Sequence, residues 1–151
     1  MESDGSGAAQ TATGGPGTPA PDTQPGDAGA RFAALHGSFF VMPNPWDVPS
    51  ARLFTGLGFQ ALATSSAALA WTFGRADGGV TRQEAIAHAG MLAQQSGLPV
   101  NGDFESGYGE TPGEVADTIS AAIDAGVAGC SVEDLWPGGT EPLFPLSEAC
   151  R

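Results

Sequence analysis

The stretch Val100-Asn101-Gly102-Asp103-Phe104-Glu105-Ser106-Gly107-Tyr108-Gly109 decides the fold. A β-favouring run closes on two acidic residues and then a glycine-rich turn. One helical pattern later, Val127 to Val132 closes in the same way on Glu133-Asp134. Two strands that end in acids, joined by a helix, describe a parallel β/α unit with carboxylates on its C-terminal rim, where such folds place their chemistry. Carboxylates gathered on one rim repel one another unless a cation sits among them. A hard divalent ion such as Mg²⁺ suits those oxygen donors.

The same alternation extends backwards along the chain. Phe39-Phe40-Val41-Met42 reads as a short buried strand ending at Pro43. Asp47 is placed to cap a helix with Pro49 in its first turn, running through Ala51, Leu53 and Phe54 to Gly56 or Gly58. Phe59 to Ala63 is the second strand and stops at Thr64-Ser65-Ser66. Thr81-Arg82-Gln83-Glu84 is a capping box for a helix that ends at Gly97, with Pro99 beyond. Leu98 to Asp103 is the third strand. Thr111-Pro112-Gly113-Glu114 is a second capping box, and Val115, Thr118, Ile119, Ala122 and Ile123 follow the spacing of a half-buried helix. Val127 to Val132 is the fourth strand.

The order is therefore βαβαβαβ, with strands too apolar to leave one face in water, which predicts a parallel sheet. An open doubly wound sheet and a (β/α)₈ barrel both satisfy that pattern. A dinucleotide fold would need G-x-G-x-x-G after its first strand. That turn here is Pro43-Asn44-Pro45-Trp46-Asp47, without glycine. Polar groups at the ends of all four strands suit a barrel rim better. A whole barrel takes about 250 residues, and the chain beyond its leader supplies roughly half of that. The expectation is the first half of a TIM-type barrel: a fragment, or one of two half-barrels that meet in a homo-oligomer.

Composition narrows the partners. The chain has 151 residues and a net charge of -12, with 5 Lys+Arg against 17 Asp+Glu. No basic stripe exists to neutralise phosphates, so neither nucleic acid nor an anionic membrane surface is an expected partner. No apolar run approaches the roughly 20 residues of a spanning helix. The N-terminus has no basic segment followed by an apolar core, so a cytoplasmic protein is expected. Residues 1–30 form a Gly/Pro/Ala-rich tail that is expected to be disordered, ahead of a folded unit at 31–151. Cys130 is expected to be a buried, reduced thiol in the fourth strand. His36 and His88 have no partner at ligand spacing and read as structural or exposed.

The folded unit resembles the isocitrate lyase/phosphoenolpyruvate mutase superfamily. The matching pieces are Asn44-Pro-Trp-Asp47 with Ser50-Ala-Arg-Leu53, Ala63-Thr-Ser-Ser66, Gly74-Arg-Ala-Asp77, Pro99 through Gly109, and Gly126 through Asp134, all in family order. The resemblance implies a (β/α)₈ barrel. It implies an enzyme that makes or breaks a C–C or P–C bond next to a 2-oxo or 2-hydroxy carboxylate, with Mg²⁺ or Mn²⁺. It implies Asp103, Glu105 and Glu133 as the metal shell, with Asp77, Glu105 and Glu133 as the catalytic acidic positions. Thr64, Ser65 and Ser66 are then similar to the loop that holds the substrate carboxylate, and Trp46 to a wall of that site.

The chain also departs from that pattern. Glu105 stands where many members have Asp. The lyase branch carries a Lys/Arg-Cys-Gly-His loop after the fourth strand, whereas Leu135-Trp-Pro-Gly-Gly-Thr-Glu-Pro142 has neither Cys nor His. The resemblance thus implies substrates of the oxaloacetate or phosphonopyruvate kind. The alternative is an inactive half-barrel that works by association.

Overall fold

The computed structural model describes residues 27–135 and 143–150. Most of the expected tail and of the 135–142 loop lies outside the described residues. The elements in chain order are α1 (Asp27–Leu35), α2 (Val48–Gly56), β1 (Leu62–Ala63), α3 (Ser66–Thr72), α4 (Arg82–Ser96), β2 (Val100–Asp103), α5 (Pro112–Asp124), β3 (Gly129–Ser131) and α6 (Leu146–Ala149). The strands form one parallel sheet in the order β1-β2-β3. Ala63 pairs with Asn101, Asn101 with Gly129, and Asp103 with Ser131. Among the described residues, no helix is long and apolar enough to cross a membrane.

The helices start where short polar side chains can satisfy their free N–H groups. Asp47 accepts the Ser50 N–H at 2.8 Å while the Ser50 hydroxyl receives the Asp47 N–H. Thr81 and Glu84 cap each other's backbone at the start of α4, and Thr111 and Glu114 do the same for α5. Arg75 grips Glu84 with both guanidinium nitrogens, at 2.8 and 3.0 Å. That grip and the Thr81 bonds pull the Glu84 carboxyl down to about 2. Gly97 ends α4 in the left-handed region at φ 68°, where a side chain would strain.

The long α4 packs against α2, α5 and β2. Its Leu92 joins Ala51, Leu62 and Val100 in one buried cluster. Its Ala85 and Ala89 join Leu69, Ala70, Phe104, Ala122 and Val127 in another. Register puts Leu62, Val100 and Gly102 on this helix-covered face. It puts Ala63, Asn101 and Asp103 on the opposite face, with alternating burial along β2.

Four expectations need correction. Phe39–Met42 is not a strand: Phe39 is 93% exposed, and the neighbouring contact with the sheet is the Ala63 N–H on the Pro43 carbonyl. Its apolar side chains fit a strand, but one backbone bond makes no ladder. Helix α1 begins at Asp27, inside the expected tail, because Phe32 buries itself against the Gly129 position and Arg31 reaches the Gly97 carbonyl. The second strand is Leu62–Ala63 rather than Phe59–Ala63, and the stretch after it forms α3 with Ser65 as its N-cap. Cys130 is exposed, since β3 is the outer strand of the described sheet and little covers it.

Gly102 faces the helix layer with the Phe104 ring directly over it: a Cβ there would lie 2.5 Å from the ring. Phe104 is fully buried and has no free space to retreat into. Gly102→Ala is therefore expected to destabilise the fold by about 1–3 kcal/mol through overpacking. The check is urea denaturation; an unchanged midpoint would contradict this packing.

Candidate active site

The C-terminal ends of β1 and β2 are tied together by two bonds through one residue. The Asp103 N–H donates to the Thr64 hydroxyl oxygen at 2.8 Å, and the Ser66 N–H donates to Asp103 Oδ2 at 2.8 Å. Thr64 and Ser66 are buried. Ser65 caps α3, its hydroxyl oxygen accepting the Ala68 N–H at 3.3 Å. The sequence-derived substrate loop Thr64-Ser65-Ser66 and the carboxylate of Asp103 thus form one construction. Both hydroxyls act as acceptors in these bonds and keep a proton to donate.

Glu105 follows at the strand end, partly buried, in the left-handed region at φ 49°. Its N–H leans on Asp103 Oδ1 at 3.4 Å, and its carbonyl accepts the Glu133 N–H at 2.7 Å. That second bond brings the end of β3 to the end of β2. Burial pushes the Glu105 carboxyl above the ordinary carboxylate range. The nearby Tyr108 hydroxyl opposes that rise, while the charges of Asp77, Asp103 and Glu133 add to it. All four acidic positions read from the sequence therefore share one electrostatic neighbourhood.

They are not equally placed. Asp77 is exposed in the turn after α3, and its carboxylate accepts the Gly78 N–H at 3.0 Å, an ordinary turn role. Glu133 is exposed beyond β3. Among the described residues, no group of three or more His, Cys, Asp or Glu is close enough to hold a metal as it stands. Asp103, Glu105 and Glu133 do not close into a three-carboxylate shell. The donor chemistry still fits a hard cation: Glu105 Oε1 is buried without a partner amid like charges, and Mg²⁺ needs only one or two direct carboxylates beside its waters.

Trp46 is 47% exposed and packs edge-on to Trp71, ring centres 6.0 Å apart. Its carbonyl lies 3.0 Å from Nε2 of buried His88. His88 thus serves structure, as expected. His36 is exposed and pairs with the Phe32 carbonyl through Nδ1 at 2.9 Å.

One contributor was not singled out from the sequence, and another, Tyr108, reads there as a wall and packing residue. Asn44 donates through Nδ2 to the carbonyls of Ala63 and Thr64 at 3.0 and 3.2 Å, fastening its loop to the end of β1. Only its place in Asn44-Pro-Trp-Asp47 could have signalled this. The Tyr108 hydroxyl is buried without a partner, and its φ is 55°. Burial raises its pKa, and the Glu105 charge raises it further. Nothing in the residue string shows where a tyrosine oxygen will lie.

A parallel β/α sheet with acids and hydroxyls gathered at its C-terminal edge is an α/β arrangement similar to that of TIM-barrel enzymes. The chain belongs to the phosphoenolpyruvate phosphomutase family, whose model matches residues 32–151. An uncharacterised protein of Mycobacterium tuberculosis is 39% identical over 106 residues, which cover 68% of this chain and 40% of that one. The structure of 2,3-dimethylmalate lyase, a member of the phosphoenolpyruvate mutase/isocitrate lyase superfamily, matches with TM-score 0.71 and 33% identity. The match covers 80% of this chain and 44% of that one. Oxaloacetate acetylhydrolase in complex with its product oxalate matches with TM-score 0.73 and 28% identity, over 80% and 44% of the two chains. The chain spans under half the length of these relatives.

The raised pKa of Glu105 carries a stability consequence with a definite sign. A carboxyl whose folded pKa lies above its unfolded value of 4.5 penalises the folded state when ionised. Without divalent cations at pH 7, Glu105→Gln should therefore stabilise the fold. The gain should shrink as pH falls through the raised folded pKa and disappear below about 4.5, where both states are protonated. Thermal melts of the two proteins across pH 4–8 provide the check. A Gln variant less stable at pH 7 would contradict the electrostatic picture.

Proposed function

We propose that this chain forms the first half of a (β/α)₈-barrel enzyme that makes or breaks a C–C or P–C bond next to a 2-oxo or 2-hydroxy carboxylate. The observation that supports it most is the join of Thr64, Ser66 and Asp103 beneath an acidic cluster. The family, the 2,3-dimethylmalate lyase likeness and the oxalate-forming relative point to the same class of substrate. Oxaloacetate-like and phosphonopyruvate-like acids are the favoured candidates. The setting is a cytoplasmic enzyme working on a small acid, with two such chains associating to complete the site.

In this reading Asp103 and Glu105 would hold a divalent cation, Mg²⁺ or Mn²⁺, with Glu133 and Asp77 as the further acidic residues of the site. Cleavage beside a carbonyl leaves an enolate, and the bound cation supplies the charge that stabilises this oxyanion. The chain's own residues then divide the remaining work. Thr64 and Ser65 turn their hydroxyl protons to the substrate carboxylate. The Asp103 backbone, held by Thr64, keeps the strand end from drifting as charge develops. Trp46 stands against Trp71 as the wall that limits water at the entrance.

A second reading is an inactive half-barrel that acts by association. Phe39 at 93% exposure and Leu146 at 79% favour it, since apolar surface of this kind seeks a partner. One experiment separates the two. An active preparation of the full chain is offered oxaloacetate and phosphonopyruvate with Mg²⁺, and product is followed against Asp103→Ala. The expected result is metal-dependent turnover that falls about a hundredfold or more in the variant, the scale of a lost charge-stabilising interaction. Turnover that survives the substitution would sink the enzyme assignment. No turnover, together with concentration-dependent association in sedimentation, would favour the second reading.

A further inference from the structure

Among the described residues, three buried side-chain atoms lack a hydrogen-bond partner: His88 Nδ1, Glu105 Oε1 and Tyr108 Oη. Two of them belong to the same turn. Among the described residues, Glu105 and Tyr108 are also the non-glycine residues with positive φ, at 49° and 55°. Left-handed backbone outside glycine persists only where the surroundings impose it, and such residues gather at functional sites. The turn is clamped from behind. A Cβ at Gly107 would lie 2.7 Å from the Val115 side chain, and one at Gly109 would lie 2.6 Å from Glu114 Cβ. The start of α5 thus fixes the shape of the turn.

The tyrosine ring is accounted for by packing, because it lies against the cluster of Leu69, Val80 and Phe104. The hydroxyl is not. A phenylalanine would fill the same wall without burying an unpaired O–H, which is unfavourable. The Tyr108 hydroxyl and the Glu105 carboxylate sense each other electrostatically, yet Oη and Oε1 stand outside hydrogen-bond geometry. Two orphaned groups, one donor and one acceptor, lie within electrostatic reach of each other in a turn clamped by α5.

We propose that Tyr108 is a positioning residue for Glu105, its O–H donating to the carboxylate and holding it toward Asp103 in the orientation that receives a divalent cation. This rests on the reading of the acidic cluster as a cation site. Tyr108 touches neither the ion nor the substrate. Its role is to fix one ligand's direction, as the outer partners of metal ligands generally do.

Mn²⁺ binding to the full chain, followed by electron paramagnetic resonance without substrate, tests this through Tyr108→Phe, Glu105→Gln and the double variant. Wild type is expected to bind, and Y108F to bind about 10- to 100-fold more weakly with a thermal midpoint equal to or above that of wild type. In the E105Q background, adding Y108F is expected to change the affinity less than about twofold, because the tyrosine acts through the missing carboxylate. Equal binding by wild type and Y108F overturns the proposal and leaves the cation site standing. The same loss in both backgrounds also overturns it, as does a Y108F chain without a cooperative melt. A wild type that binds no Mn²⁺ removes the cation reading itself, and this inference with it.

Discussion

The arrangement depends on the linkage between Thr64, Ser66 and Asp103. Two parallel strands share a ladder only along their length; at their ends, nothing in the ladder fixes one tip against the other. Here a side chain from each strand end reaches the other's backbone, Thr64 oxygen to the Asp103 N–H and Asp103 oxygen to the Ser66 N–H. The Ser66 N–H is one of the first in α3, so the acid also answers a helix start that would otherwise need water. One carboxylate thereby joins two strands and a helix. The same join places a negative charge at the sheet edge, and the Glu105 carbonyl extends it to β3 through the Glu133 N–H.

That construction sets stability against chemistry. Asp103 is at ease, with two N–H groups on its oxygens. Glu105 is not: burial and three neighbouring acids oppose its charge, and its backbone sits in a strained region. A sequence selected for stability alone would place an uncharged side chain there. An acidic cluster that is unfavourable when empty is relieved by a cation, which adds stability only to the folded form. On the proposed reading, the same features that weaken the unliganded fold are the ones a bound cation would relieve.

How much of this was legible in the residues follows from the range of each interaction. The caps at Asp47, Thr81 and Thr111 were readable because a cap and its partner lie three residues apart, and sequence shows that spacing directly. At α3 the cap is only half written in the sequence, because Ser65 has Ala68 rather than Glu or Gln at the reciprocal position. Helix α1 escaped because its alanines and glycines look like the leader they follow; Phe32, buried against a distant glycine, and Arg31, bonded to the Gly97 carbonyl, hold it down. Phe39–Met42 and Cys130 failed for the complementary reason. Apolar runs reveal that a segment could pair or be buried, whereas the surface that would cover it comes from elsewhere. At the site, Asp103 and the Thr64-Ser65-Ser66 loop were legible as strand ends, but the orphaned Tyr108 hydroxyl arises from the packing of a turn against α5.

The packing of that turn explains why Glu105 stays within electrostatic reach of the other acids. The capping box of Thr111 and Glu114 fixes the first turn of α5, with Pro112 already shaped for it. Val115, one residue further, then fills the space that a side chain at Gly107 would occupy. The glycine can follow φ 86° at little cost, and the flanking Glu105 and Tyr108 take positive φ with it. A rigid helix start thus transmits its position through a glycine contact to the carboxylate two residues earlier. If Val115 were smaller, the turn would gain room to relax, and Glu105 could swing away from Asp103 to lower its repulsion. The geometry of the acidic edge is in this sense imposed from the helix layer outside the sheet, and not by any attraction among the acids themselves.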